Sequence, residues 1–407
     1  MSSVDRIDDV GVFVTSPGRN YVTVKITTED GVVGLGDATL NGRELAVASC
    51  LTEYIVPMLL GLDSDRIEDT WQYLYKGAYW RQGAVGMACI SAVDMALWDI
   101  KAKRAAVPLY QLLGGASRDR CLAYTHTFGA TVPDLLEAMR EKLADGFTAL
   151  RVQVAIPSVG SGYGVSMGSD RYEPAVRGAV RVEEPWDTSE YLRLMPRVFN
   201  SVREEFGDSV ELLHDAHHRL TPIEAARLAR DLEPYRLFWL EDVVPSEDQA
   251  ALRLVRQHSV TPLAIGEVFT GLHEAQAMMQ ERLIDYLRSS TTHAGGVTHL
   301  RRMFDFASVF NVKSACHGPS DISPIGLAAS LHLGLAIPNF GIQEFMGYGP
   351  LVDDVFSHAF YQSGGSFHPG EAPGLGVEFD EAVARAHPYV RAYLPVNRLA
   401  DGSMHHW

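Results

Sequence analysis

The chain has 407 residues, enough to bury a large core. Its 46% hydrophobic and 21% charged residues are the balance of an ordinary globular protein, not of a disordered or fibrous one. A formal net charge of −16 without any basic cluster argues against a nucleic-acid partner. Cys50, Cys89, Cys121 and Cys316 are scattered, with no Cys-x-x-Cys pair, so neither a zinc ribbon nor a disulfide framework is expected. They read as buried thiols of a reducing compartment. The N-terminus is polar and no apolar run approaches about 18 residues, so no signal peptide, no membrane span and a cytoplasmic location are expected.

In chain order, Tyr21 to Asp37 predicts antiparallel strands. Tyr21 to Thr27 is rich in β-branched residues, Glu29-Asp30-Gly31 supplies a turn, and Val32 to Gly36 returns. Apolar residues then fall at helical spacing over Glu44 to Leu60, Ile67 to Tyr75 and Ala88 to Lys103. Strands followed by helices predict an α+β domain over residues 1–115.

From Cys121 onward strands and helices alternate. Strand-like runs end at His126, Gln153, Asp215, Glu241, Glu267, Arg288, His317 and Glu344, with seven segments between them. This predicts a (β/α)8 barrel over residues 116–364. Asp215, Glu241 and Glu267 end three successive runs at equal intervals of 26 residues (215 to 241, 241 to 267). Carboxyl ends of barrel strands converge on one mouth, where three hard oxygen donors suit Mg²⁺ or a similar cation. An acidic residue opening a single βα loop is commonly only a helix cap, and it is the regular triplet that points to a metal. Residues 158–186, rich in Gly and Ser at their start, break the rhythm after the second strand and are expected to form a lid. Residues 365–407 also lack the rhythm and are expected to pack back on the N-terminal domain.

Several stretches carry a family resemblance. Ser91 to Lys103 followed by Pro108 to Gly115 resembles the N-terminal capping domain of the enolase superfamily, and the carboxylate triplet resembles that superfamily's Mg²⁺ site. Leu40 to Glu44, Tyr75 to Arg81, His214 to His218 and Asn339 to Glu344 are similar to its D-mannonate dehydratase subgroup. The resemblance implies Mg²⁺-dependent dehydration of a sugar acid, D-mannonate or D-gluconate, to a 2-keto-3-deoxy acid. It also implies association into a homo-oligomer.

Such chemistry needs a base at C2, and many superfamily members place lysines on the second strand. Here that strand reads Arg151-Val152-Gln153. The subgroup resemblance implies instead a lid tyrosine paired with the arginine, which assigns Tyr163 and Arg151. His217, two residues past Asp215, is expected on the same strand face as the metal ligand, placed to protonate the leaving 3-hydroxyl. His218 is expected to point the other way and to be structural, and Asp242 to be a group supporting the metal ligands or a loop group. His317 is expected to hydrogen-bond substrate, with Asn41, His126, Arg288 and Glu344 as further contacts. A racemase or epimerase is disfavoured, because the sixth run ends in Arg288 rather than an aspartate. A weakly active sugar-acid-binding regulator is the other alternative. Pro319 stands where efficient relatives usually carry alanine; it fixes φ beside His317, and the resemblance implies a place among slow or gluconate-acting members.

Overall fold

The computed structural model describes residues 5–156, 176–177, 183–394 and 396–406. The N-terminal part opens with three antiparallel strands, Ile7–Thr15, Tyr21–Thr28 and Val33–Asp37. Gly31 supplies the left-handed position of the turn between the second and third (φ 82°). Helices Ile67–Gly77 and Ala84–Arg104 follow, the latter buried on nearly every side. Val22, Val24, Ile26, Trp71, Leu74, Met87 and Ile100 form the core between them. Gly34 and Gly36 let helix and sheet meet backbone to backbone: a Cβ on Gly36 would lie 1.9 Å from the Ala92 carbonyl oxygen. The predicted helix over Glu44 to Leu60 is broken. It runs as α-helix over Glu44–Cys50, π-helix over Leu51–Ile55, and α-helix again over Val56–Leu59. Pro57 explains the break, because it has no N–H to donate and its ring crowds the preceding turn.

Eight parallel strands follow: Cys121–Gly129, Ala149–Val154, Glu211–Asp215, Trp239–Glu241, Leu263–Ile265, Tyr286–Ser289, Lys313–Cys316 and Phe340–Glu344. They pair in chain order, and the eighth also pairs with the first. The fold is therefore a (β/α)8 barrel preceded by an α+β domain. Capping boxes at Thr131/Asp134 and Thr221/Glu224 start the helices after the first and third strands.

The chain divides into two compact units. One comprises residues 1–122, 267–276 and 288–390. Within it the C-terminal stretch lies on the N-terminal strands: Ser16 N–H donates to the His387 carbonyl (2.7 Å), and Asn20 donates to that of Val390 (2.7 Å). The other comprises residues 123–266, 277–287 and 391–407. In that unit Ala392–Tyr393 pairs with Val176–Arg177, and Val396–Arg398 runs parallel to Glu183–Pro185. Most of the predicted lid, Tyr163 included, lies outside the described residues. Among the described residues no helix is long and apolar enough to cross a membrane, and all four cysteines are free thiols.

Candidate active site

In the second unit, four adjoining barrel strands bring polar side chains together. His126 on the first strand stands in register with Arg151 on the second, and Asp215 on the third with Glu241 on the fourth. Arg151 is buried, its Nη1 2.9 Å from Asp215 Oδ2 and 3.7 Å from Glu241 Oε1. Its Nη2 donates to Gln153 Oε1 (3.2 Å). Asp215, Glu241 and Asp242 each present a carboxylate oxygen, the three within 4.8 Å of one another. At that spacing each pair of like charges repels by roughly 3 kcal/mol at an effective dielectric near 20, and burial removes the water that would screen it. One guanidinium offsets part of this. A divalent cation, for which carboxylate oxygens are the natural donors, would offset the rest, so these residues fit a hard metal ion.

The expected route by which His217 reaches Asp215 needs correcting. The third strand ends at Asp215, and His217 and His218 follow in left-handed backbone (φ 49° and 59°), so strand alternation does not apply to them. The turn carries His217 back instead. Its N–H donates to Asp215 Oδ1 (2.7 Å), and its Nε2 lies 2.9 Å from Asp215 Oδ2. Burial holds the imidazole pKa below its usual value, against the opposing pull of Asp215. His218 does not point away from these acids: its Nε2 lies 3.6 Å from Asp242 Oδ1. Behind the strand, His214 Nδ1 donates to the Val152 carbonyl (3.0 Å), so its Nε2 accepts from the Tyr191 hydroxyl (2.8 Å).

In the first unit a second group forms. Glu267 follows the fifth strand by two residues, and Arg288 lies in the sixth. The Arg288 guanidinium pairs with Glu267 through one nitrogen and with buried Glu344 through the other (2.5 Å). The guanidinium thus bridges two carboxylates with charge-assisted hydrogen bonds. His317 Nε2 lies 3.6 Å from Glu267 Oε2 and 4.0 Å from Glu344 Oε2. Burial, reinforced by Arg288, lowers the His317 pKa. Gly318 N–H donates to Glu344 Oε2 (3.0 Å), and a Cβ there would strike Gln343 Nε2 and the Glu344 carbonyl oxygen, each at 2.5 Å. Asn41 donates to Asp321 (3.0 Å), a carboxylate that no motif in the chain singles out.

The chain matches the enolase C-terminal domain-like family over residues 134–383. It matches the mandelate racemase / muconate lactonizing enzyme N-terminal domain over residues 11–114. It belongs to the enolase superfamily. A D-galactonate dehydratase family member from Streptomyces bingchenggensis is 59% identical over 403 residues, covering 99% of this chain and 98% of its own. A D-mannonate dehydratase from Caulobacter sp. strain K31 is 56% identical over 402 residues, covering 99% of this chain and all of its own. The crystal structure of an enolase from Pantoea ananatis with bound D-gluconate and Mg superposes with a TM-score of 0.91 at 38% identity, covering 99% of this chain and all of that one. Within the superfamily the chain is thus an enzyme of the dehydratase group, a hydro-lyase.

Proposed function

We propose that the protein dehydrates an aldonate, D-mannonate or D-gluconate, to 2-keto-3-deoxy-D-gluconate, using Mg²⁺. The observation that carries this reading is the crowding of buried carboxylates at adjoining strand ends, with Arg151 and His217 set against them. The relatives named D-mannonate dehydratase and D-galactonate dehydratase family member support it, as does the gluconate-bound Pantoea structure. Asp215, Glu241 and Glu267 are the proposed ligands. Once bound, Mg²⁺ would stabilise the negative charge that gathers on the substrate carboxylate as the C2 proton leaves.

Tyr163 is the proposed base, with Arg151 lowering its pKa. A tyrosine of pKa about 10 is roughly 0.1% ionised at pH 7, and half-ionising it takes about 4 kcal/mol. A cation about 4 Å away is worth roughly 4 kcal/mol at an effective dielectric near 20. Arg151 can therefore make up most of the difference. His217 is the proposed acid that protonates the departing 3-hydroxyl. Asn41, His126, Arg288, His317 and Glu344 are the proposed substrate contacts. Pro319 beside His317 is expected to keep turnover low.

The test is a 2-keto acid assay over a panel of aldonates. Product from at least one member is expected, with Tyr163→Phe and His217→Asn reduced at least about 100-fold. No product from any aldonate would defeat the proposal.

A further inference from the structure

Non-glycine residues in left-handed backbone are uncommon, yet three of them follow Asp215 and Glu241 directly: His217, His218 and Asp242 (φ 49°, 59° and 49°). Hydrogen bonds hold them there. Ala216 N–H donates to the Glu241 carbonyl (3.0 Å), His218 N–H to that of Asp242 (2.5 Å), and Asp242 N–H to that of Ala264 (3.1 Å). The Asp242 peptide therefore ties the exits of the third, fourth and fifth strands together. Glycine would adopt this conformation without steric cost, so the backbone alone does not call for an aspartate. Its carboxylate is buried and faces His218 Nε2 at 3.6 Å. His218 in turn is fixed by its Nδ1, which donates to the Val244 carbonyl (2.9 Å). With Nδ1 donating, the Nε2 of His218 pairs with the Asp242 carboxylate across the turn when the ring is an imidazolium, and that turn aims His217 N–H at Asp215 Oδ1 (2.7 Å).

We infer that Asp242 and His218 act as a positioning pair that fixes the Asp215 carboxylate for metal binding, without Asp242 itself being a ligand. This rests on the Mg²⁺ reading above. Groups that orient metal ligands commonly change affinity about 10- to 100-fold when removed.

The test is calorimetric titration of metal-stripped protein with Mg²⁺ for wild type, Asp242→Asn, His218→Asn and the double variant. Asparagine tolerates left-handed backbone, so both changes keep the turn. Each single variant should weaken Mg²⁺ binding about tenfold, and the double variant should be no weaker than either single one to within about twofold, because a pair acts as one unit. Without metal, the His218→Asn midpoint should stay at the wild-type value and the Asp242→Asn midpoint should not fall, because that change removes one of the buried like charges. Wild-type affinity in both single variants would overturn the inference, and so would losses that multiply in the double variant. Abolished binding in Asp242→Asn alone would make Asp242 a ligand and would also overturn it. Should Asp242→Asn fail to fold, His218→Asn decides by itself between a tenfold loss and none. A wild-type protein that binds no Mg²⁺ would sink the functional reading as well, whereas normal wild-type binding with unaffected variants sinks this inference alone.

Discussion

Arg151 brings one positive charge to a cluster of buried acids, and its removal should be felt most when no metal is present. In Arg151→Met the carboxylates of Asp215 and Glu241 lose their guanidinium while staying buried, a change that costs about 3–5 kcal/mol when a buried pair is broken. Scanning calorimetry of the metal-free variant should show a clearly lowered unfolding midpoint. Added Mg²⁺ should raise that midpoint by more than it raises the wild type's, since a ligand that binds only the folded state restores stability by mass action. Equal midpoints in the two metal-free proteins would show that Arg151 does not offset the acids. At this scale the sequence was legible where a position in a barrel strand fixes a side chain, as for Arg151, Asp215 and Glu241. It was not legible for His218, which was expected to point away, nor for how it meets Asp242. Their placement depends on left-handed backbone, and no glycine marks the turn.

The elements were read largely from their periods. Alternating runs and helical spacing gave the eight strands and the helices between them, because each strand is bounded by turn residues and buried on both faces. Lengths were read less well. The fourth and fifth strands are three residues each, and Ala84–Arg104 begins before its helical spacing shows, because it is apolar on most sides and so has no contrasting face. Its contact with the N-terminal sheet depends on Gly34 and Gly36, which a pattern of apolar residues does not reveal. Gly36→Ala would push a methyl against the Ala92 carbonyl, and because the obstacle is backbone, trimming Ala92 to glycine would not relieve it. Denaturant unfolding should show a loss of about 3 kcal/mol, with the barrel strands' own contacts unchanged. Wild-type stability would mean that helix and sheet can separate at no cost.

Across the whole molecule, acid stability reflects histidines buried in neutral form. His332 Nδ1 accepts the Tyr110 N–H (3.3 Å) and its Nε2 donates to the Leu375 carbonyl (3.2 Å), so a second proton would face a donor. Burial pushes its pKa down from 6.5 to about 3. Above pH 6.5 both folded and unfolded forms are neutral. As pH falls below that value the unfolded chain takes up a proton that the folded one refuses, so stability drops. From pH 7.5 to 5.5 this group should cost about 1.4 kcal/mol. His214 and His299, held near 4, act in the same direction, whereas Asp94, pushed up to about 7, acts in the opposite one. The difference between wild type and His332→Gln therefore isolates the contribution of His332. Unfolding at the two pH values should show the variant losing about 1.4 kcal/mol less on acidification, and identical losses would refute the neutral assignment.

The most direct measurement is the rate of 2-keto-3-deoxy acid formation from D-mannonate and D-gluconate as Mg²⁺ is titrated into metal-stripped enzyme. The expected result is a saturable rise from no detectable product in chelator to a steady rate with at least one of the two acids. Undiminished turnover in chelator, or no product from either acid at saturating Mg²⁺, would contradict a metal held by Asp215, Glu241 and Glu267 as the centre of this chemistry.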